Sequence, residues 1–515
     1  MNIEIVFLVL YFAALIGIGV WSMRRGAGKD LEGYLLGGRS TGPAVTALTL
    51  QSTSMSGYMF LGAGSLAYTQ GFWSLWYALG DLGGGVLNMS VLGRRMRKLS
   101  QILGAVTSIE YLEKRYPSAW TRIIAAPLAL FCLFFYVLAQ FIAGGKGLAT
   151  VTGISYPIAL GIAIGVIVLY TFLGGYLAVA YTDFVQAILM LIGVLWILIA
   201  SLTALGGFAA ANARIGELDA SLLTMWGKDE AYFGQWGLVI GALLVFSIGY
   251  MGWPHVVVRH MAMKRPSMAR RAGGYAMIFN LLFVPAPYLV GLLALLLIPI
   301  GTDPELAIFS VAQQLLPTAV VGLVMAGIMA AIMSTADSIL LQAGTIASRD
   351  IFHRFINPNM NEKHMVWVSR GMVLVVAVIG FVVAVVQPPA VFAIVVFATT
   401  VLGSAFVPAY VAAVWWRKAN TVGAIASMLA GTIVAVGWEI LSLEGATGLN
   451  SMLVGIVSSV TAMIAGSLLT QKSHPVPSQI QEALIETERI GAIPAALLKG
   501  QDRQMVSEAF ANRRS

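Results

Sequence analysis

The sequence predicts an all-α polytopic membrane protein of thirteen transmembrane helices, and three observations predict it. Of 515 residues, 58% are hydrophobic and 10% charged, where a soluble globular chain carries about 25% charged residues. Apolar runs of about 20 residues, long enough to cross a bilayer core of roughly 30 Å, recur along the whole chain. The basic residues between these runs alternate in a way that assigns almost all of them to one side of the membrane.

Taken in order, the first span (3–22) has no Lys or Arg before it and Arg24, Arg25 and Lys29 after it. That is the reverse of a cleaved signal peptide, so the span is retained and the N-terminus lies outside. The second (43–68) carries Gln51, Ser52, Thr53, Ser54, Ser56 and Gly57 at mid-depth, and the third (72–93) carries Asp81 within LGDLGGG. The fourth (123–147) holds Cys132, which has no second cysteine to pair with. The fifth and sixth (157–178 and 183–205) are divided just before Asp183, which reads as a helix N-cap after Thr182. An external loop, 206–236, has room for a short helix near LDASLLTMWG. The seventh (237–258) has Gly249, Gly252 and Pro254 within six residues. The remaining six are 275–299, 318–345, 366–387, 390–416, 421–441 and 451–470.

An odd number of spans puts the C-terminus in the cytoplasm. All but Lys146, Arg214 and Lys228 of the 31 Lys and Arg residues then fall on segments assigned to that side. Arg94, Arg95, Arg97 and Lys98 make one basic loop, and Arg259, Lys264, Arg265, Arg270 and Arg271 make another. Residues 1–470 read as a single transmembrane domain and 471–515 as a short cytoplasmic tail, whose IQEALIETERI is an amphipathic helix. The expected setting is the cell membrane, with lipid as the surrounding partner. The sequence offers no phosphate loop, no metalloprotease motif and no converging His/Asp/Glu cluster, so neither an enzyme nor a nucleic-acid binder is expected.

Two spans resist being straight helices. Proline removes a donor and clashes with the preceding turn, and flanking glycines make unwinding cheaper. Carbonyls freed at mid-membrane are tolerated where they line a protected polar cavity. The interrupted spans are the second and seventh, five apart and opposite in direction. Spans 2–6 and 7–11 therefore have the form of a 5+5 inverted repeat, an architecture that puts substrate and ion sites near the midplane. In AAIMSTADSILL (330–341), Ser334, Asp337 and Ser338 share one helix face with Thr335 beside them. Clustered oxygens of this kind suit a small hard cation. Three carboxylates, Asp81, Asp183 and Asp337, lie at or near membrane depth, where each needs a compensating partner.

The stretches YLLGGRSTGPAVTAL, MSGY, YTFLGGYLAVAYTDFVQA, GYMGWPHVVVRHMA, AAIMSTADSILL and WVSRGMVLVVAV resemble the sodium/solute symporter family, and within it the sodium/proline symporter branch. The resemblance runs from about residue 10 to 470. It implies a leucine-transporter-type fold and sodium-coupled uptake of a small organic solute by alternating access, with Na+ as coupling ion (one or two) and no organic cofactor. It implies one sodium site from the carbonyls of Ser52, Met55 and Ala331 and the hydroxyls of Ser334 and Thr335. A second site toward the cytoplasm would use Asp183, Ser334, Asp337 and Ser338. Tyr136, Phe246 and Tyr250 keep the pocket around the solute aromatic, as in the branch, with Gln51, Ser54, Tyr58 and Trp253 completing the expected pocket.

Four of these positions depart from the branch. Ser54 stands where it has an acid, Tyr58 and Phe246 stand for tryptophans, and Trp253 stands for a Gln. Asp81 has no counterpart there; it reads as a replacement for that acid, as a ligand for a proton or a cationic solute, or as an acceptor for a neighbouring span. Proline leads as expected solute, with another amino acid, a betaine-like compound or a small carboxylate as alternatives. A sodium channel or sensor on the same fold is the competing class.

Overall fold

The computed structural model describes residues 3–24, 30–299, 301–386 and 391–489. Arg25, Lys29, the junction of the spans expected at 366–387 and 390–416, and the tail from 490 onward lie outside the described residues. Everything described is helix and connecting turn, apart from one isolated parallel bridge between Thr41 and Met263.

Among the described residues nine helices are long and apolar enough to cross a membrane. The difference from the expected thirteen has a physical origin. The second span is divided into Pro43–Ser54 and Gly62–Gln70, and the seventh into Trp236–Ser247 and Pro254–Ala262. The third, Leu75–Asn88, passes through a π-helical stretch, Met89–Gly93, into Arg94–Ile102. The pieces of the second and seventh are each too short to count as a crossing by themselves, and the third, though continuous in helix, is diluted by Asp81, Asn88 and its glycines. The fifth and sixth expected spans, by contrast, are covered by one 50-residue helical stretch, Tyr156–Leu205.

That stretch is not one rod. A straight helix of such length would extend about 75 Å, far beyond any bilayer core. The break is at Gly175, with φ 54° and ψ −152°, where a Cβ would stand 2.6 Å from the Tyr34 ring. The expected division just before Asp183 is therefore corrected. Asp183 lies eight residues past the break, inside the helix, and caps nothing. The external loop holds a helix, Phe208–Asp219, that runs into LDASLLTMWG, and a 3-10 turn, Ala220–Leu223, within it.

Burial follows bilayer logic. Leu10, Ile158, Ile199, Val378, Ile433 and Leu469 are exposed on the outside. Gln51, Asp81, Gln140, Asp183, Ser334 and Asp337 are fully enclosed. Polar groups have been gathered inward, where only protein can satisfy them. At one end, the expected amphipathic helix forms over Ser478–Arg489 and buries Ile480, Ala483 and Leu484. Its acidic face reaches back to the basic loop, with Glu486 3.0 Å from Lys98 and Glu488 3.7 Å from Arg95.

Candidate functional site

Helix Pro43–Ser54 ends because Met55 leaves helical dihedrals (φ −87°, ψ 68°) and Ser56 is extended. The released backbone is held from outside the helix. Gln140, on the Ala119–Thr152 helix, accepts from the Gly57 N–H at 2.9 Å. Ser56 accepts from the Tyr58 N–H at 3.2 Å and from the Tyr136 hydroxyl at 3.4 Å. The second break is a 3-10 turn, Gly249–Gly252, and an extended Trp253, after which Pro254 starts a new helix. Proline suits that first position because its absent N–H would have had no partner there.

The two breaks meet at a wall of rings. Tyr58 stacks on Phe246 at 4.5 Å between centroids, Trp253 stands edge-on to Tyr250 at 4.4 Å, and Tyr136 meets Trp253 at 5.1 Å. Five of the seven expected solute-binding residues thus form one buried cluster. The other two stand apart from the rings. Gln51 donates its amide to Asn280, and Ser54 donates its hydroxyl to the Leu50 carbonyl one turn back, at 2.8 Å.

Helix Thr318–Thr345 meets the first break through its hydroxyls. Ser334 donates to the Ser52 carbonyl at 3.0 Å and lies 3.2 Å from the Ala331 carbonyl. Thr335 donates to the Thr53 carbonyl at 2.8 Å and lies 3.3 Å from Ala331. Met55 closes the same turn, its N–H still bonded to the Gln51 carbonyl at 2.7 Å. Two hydroxyls and the carbonyls they touch are an all-oxygen set of the kind a small hard cation takes.

The four residues expected at a second sodium site also come close together, with an addition that sequence reasoning missed. The sequence places Arg259 in a basic loop. It is instead buried, 1% exposed, and inserts its guanidinium among them. It donates to Asp183 Oδ2 at 3.0 Å, to Ser338 Oγ at 2.5 Å and to Thr53 Oγ1 at 2.6 Å. Thr49 adds a 2.5 Å bond to the same Asp183 oxygen. Asp337 is held separately, accepting from the Tyr170 hydroxyl at 2.8 Å and from Ser338 at 3.1 Å. Only the setting of Arg259 in VVVRHM, between valines and Met261, hinted that it was no loop residue.

Asp81, finally, accepts from the hydroxyls of Tyr58, Tyr250 and Tyr288. Asn280 joins its helix to Gln51, donating to the Asp81 backbone carbonyl at 3.0 Å. Nothing before the structure indicated Tyr288 or Asn280, which sit in ordinary apolar runs.

Comparison with known proteins bears on family and fold. The model of the Sodium:solute symporter family matches residues 34–431. The osmoregulated proline transporter OpuE of Bacillus subtilis is 31% identical over 482 residues, covering 92% of this chain and 96% of the relative. A sodium/proline symporter of Staphylococcus aureus is 30% identical over 486 residues, covering 91% and 93%. Among solved structures, a Na+-coupled sialic acid symporter superposes with a TM-score of 0.75 at 19% identity, over 91% of this chain and 98% of its own. Mhp1, a nucleobase-cation-symport-1 family transporter, superposes with a TM-score of 0.58 at 16% identity, over 88% and 98%. The chain shares the fold of these two transporters.

Proposed function

The chain belongs to the sodium:solute symporter family, whose members are transporters rather than enzymes, and from that premise we propose that it imports proline with Na+ by alternating access. Another amino acid, a betaine-like compound or a small carboxylate is the alternative cargo. The reading includes thirteen spans in one domain over 1–470, an inverted repeat of spans 2–6 and 7–11, an outside N-terminus and a cytoplasmic tail from 471. The interrupted helices and the distribution of Lys and Arg support it.

The observation that carries the proposal is the junction of the first break with helix Thr318–Thr345. There, neutral oxygens of Ser52, Ala331, Ser334 and Thr335 converge in a buried place. Sodium bound at that junction with Met55 would tie the broken helix to its neighbour, and the solute would rest against the adjoining ring wall. Ion and solute would thereby stabilise one arrangement together, which is what coupling requires. The test is accumulation of radiolabelled proline in proteoliposomes under an inward Na+ gradient, compared with K+ alone. Uptake that ignores sodium sinks the proposal.

Two variants examine the parts. Ser334→Ala and Thr335→Ala each remove one oxygen from a dry site where water cannot easily replace it. Both are expected to raise the sodium concentration for half-maximal uptake about tenfold or more, as losing a bond to a charged group does. Unchanged sodium dependence in both would put the ion elsewhere. Tyr250→Ala removes a ring touching Phe246 and Trp253. Losing buried aromatic packing of this kind costs about 3–5 kcal/mol, so a large rise in half-saturating solute concentration is expected. Normal solute affinity in a correctly inserted variant would move the pocket away from the rings.

A further inference from the structure

Asp81 raises a problem that the hydrogen bonds around it do not solve. It lies in helix Leu75–Asn88 and is fully buried. A carboxylate at membrane depth needs a compensating partner. Among the described residues, three other buried acids have one: Asp183 has Arg259, Asp350 has Arg122 and Glu110 has Arg349, while Asp337 lies one turn from the expected sodium oxygens. No ion pair reaches Asp81 among the described residues. Three phenols donate to it, but phenols are neutral. They orient the carboxylate and leave its charge unbalanced. A carboxylate also has about four acceptor positions, so three donors leave room for one more.

The place is built for a ligand to complete. Two of the three phenols come from the two broken helices, Tyr58 from the first and Tyr250 from the second. The LGDLGGG stretch lets both helices approach. A Cβ at Gly84, on the same helix face one turn from Asp81, would stand 2.4 Å from the Tyr250 ring. One at Gly85 would stand 2.2 Å from Gln51 Oε1. Around the carboxylate, Tyr58, Phe246 and Tyr250 present aromatic surface in continuous contact. An anion beside a cluster of aromatic rings is a combination that suits an alkylated ammonium group.

We propose that Asp81, framed by Tyr58, Phe246 and Tyr250, is the counter-charge for a cationic nitrogen on the transported solute. The solute class is then an alkylammonium compound, a cyclic secondary amine or a methylated amine, and not a simple carboxylate. This rests on the reading above that the solute binds between the broken helices.

The test uses pairs of probes that differ only in the nitrogen, with the full-length wild-type protein in proteoliposomes. Proline is compared with cyclopentanecarboxylate, glycine betaine with tert-butylacetate, and choline with 3,3-dimethylbutanol. At least one ammonium probe is expected to bind and be transported, with its carbon counterpart about 10- to 100-fold weaker, as for loss of a bond between charged groups. Asp81→Asn is expected to erase that discrimination. The proposal is overturned if a carbon analogue matches its ammonium partner, if Asp81→Asn keeps the discrimination, or if no ammonium probe binds at all. The wild-type pairs decide even if the variant fails to fold. Repeating the series in K+ separates the two readings. Ammonium selectivity without sodium dependence would sink symport and leave Asp81 standing, and sodium-driven uptake of a carbon analogue would do the reverse.

Discussion

Arg259→Gln is expected to cost the protein about 3–5 kcal/mol of stability, because it leaves a carboxylate buried without its cation. The guanidinium serves Asp183, Ser338, Thr53 and Thr49 together, and so joins the first broken helix, the Tyr156–Leu205 stretch and helix Thr318–Thr345 through one side chain. Asp183 Oδ1 has no hydrogen-bond partner, so the pair already lacks spare donors. Thermal unfolding in detergent should show the loss directly, and uptake should fall with it. The informative control is Arg259→Gln combined with Asp183→Asn. Removing both charges removes the uncompensated one, so the double variant should regain much of the lost stability. If it is no better than the single variant, the ion pair is not what Arg259 contributes.

The position of Arg259 also shows where sequence reasoning reaches its limit. Membrane class could be read from composition, because lipid leaves no choice about backbone pairing or surface chemistry. Both helix interruptions could be read locally, from MSG and from GYMGWP, because the residues that unwind a helix lie at the point of unwinding. The encounter of Ser334 with the Ser52 carbonyl is a long-range contact, but both partners carry polar groups that stand out in apolar runs. Arg259 stands at the end of such a run, where a basic residue ordinarily marks the membrane boundary. Only the packing of Pro254–Ala262 beneath the break turns it inward. Tyr288 was hidden for the opposite reason, since a tyrosine in VPAPYLV looks like ordinary core until its hydroxyl finds Asp81. Asp183 reads as a cap because the sequence places the break about two helical turns too late. A single positive φ at Gly175 is not distinguished locally from the other glycines of the run, while Thr182 and Asp183 offer a stronger cap signal.

Charge balance around Arg259 leads to the last expected result, a coupling ratio of one sodium per solute. Asp183 and Asp337 bring two carboxyl groups to the buried centre, and Arg259 brings one positive charge, paired with Asp183. Asp337 is left without a cation, held by Tyr170 and Ser338 rather than by the guanidinium. Ser334 lies one helical turn from Asp337, so a single sodium at the proposed Ser334–Thr335 junction would supply the cation that Asp337 lacks. A second ion on Asp183 and Ser338 would have to displace the guanidinium from both. One sodium moving down a tenfold gradient and 100 mV yields roughly 3.7 kcal/mol, enough to accumulate a neutral solute several hundredfold. Two ions would square that ratio, so the counts are easily told apart. Wild-type uptake should therefore show a sodium Hill coefficient of one and equal sodium and solute fluxes. Asp337→Asn should weaken sodium affinity without changing the coefficient. A wild-type coefficient near two that falls to one in Asp337→Asn would restore the second sodium site and remove Arg259 from its role as the fixed cation.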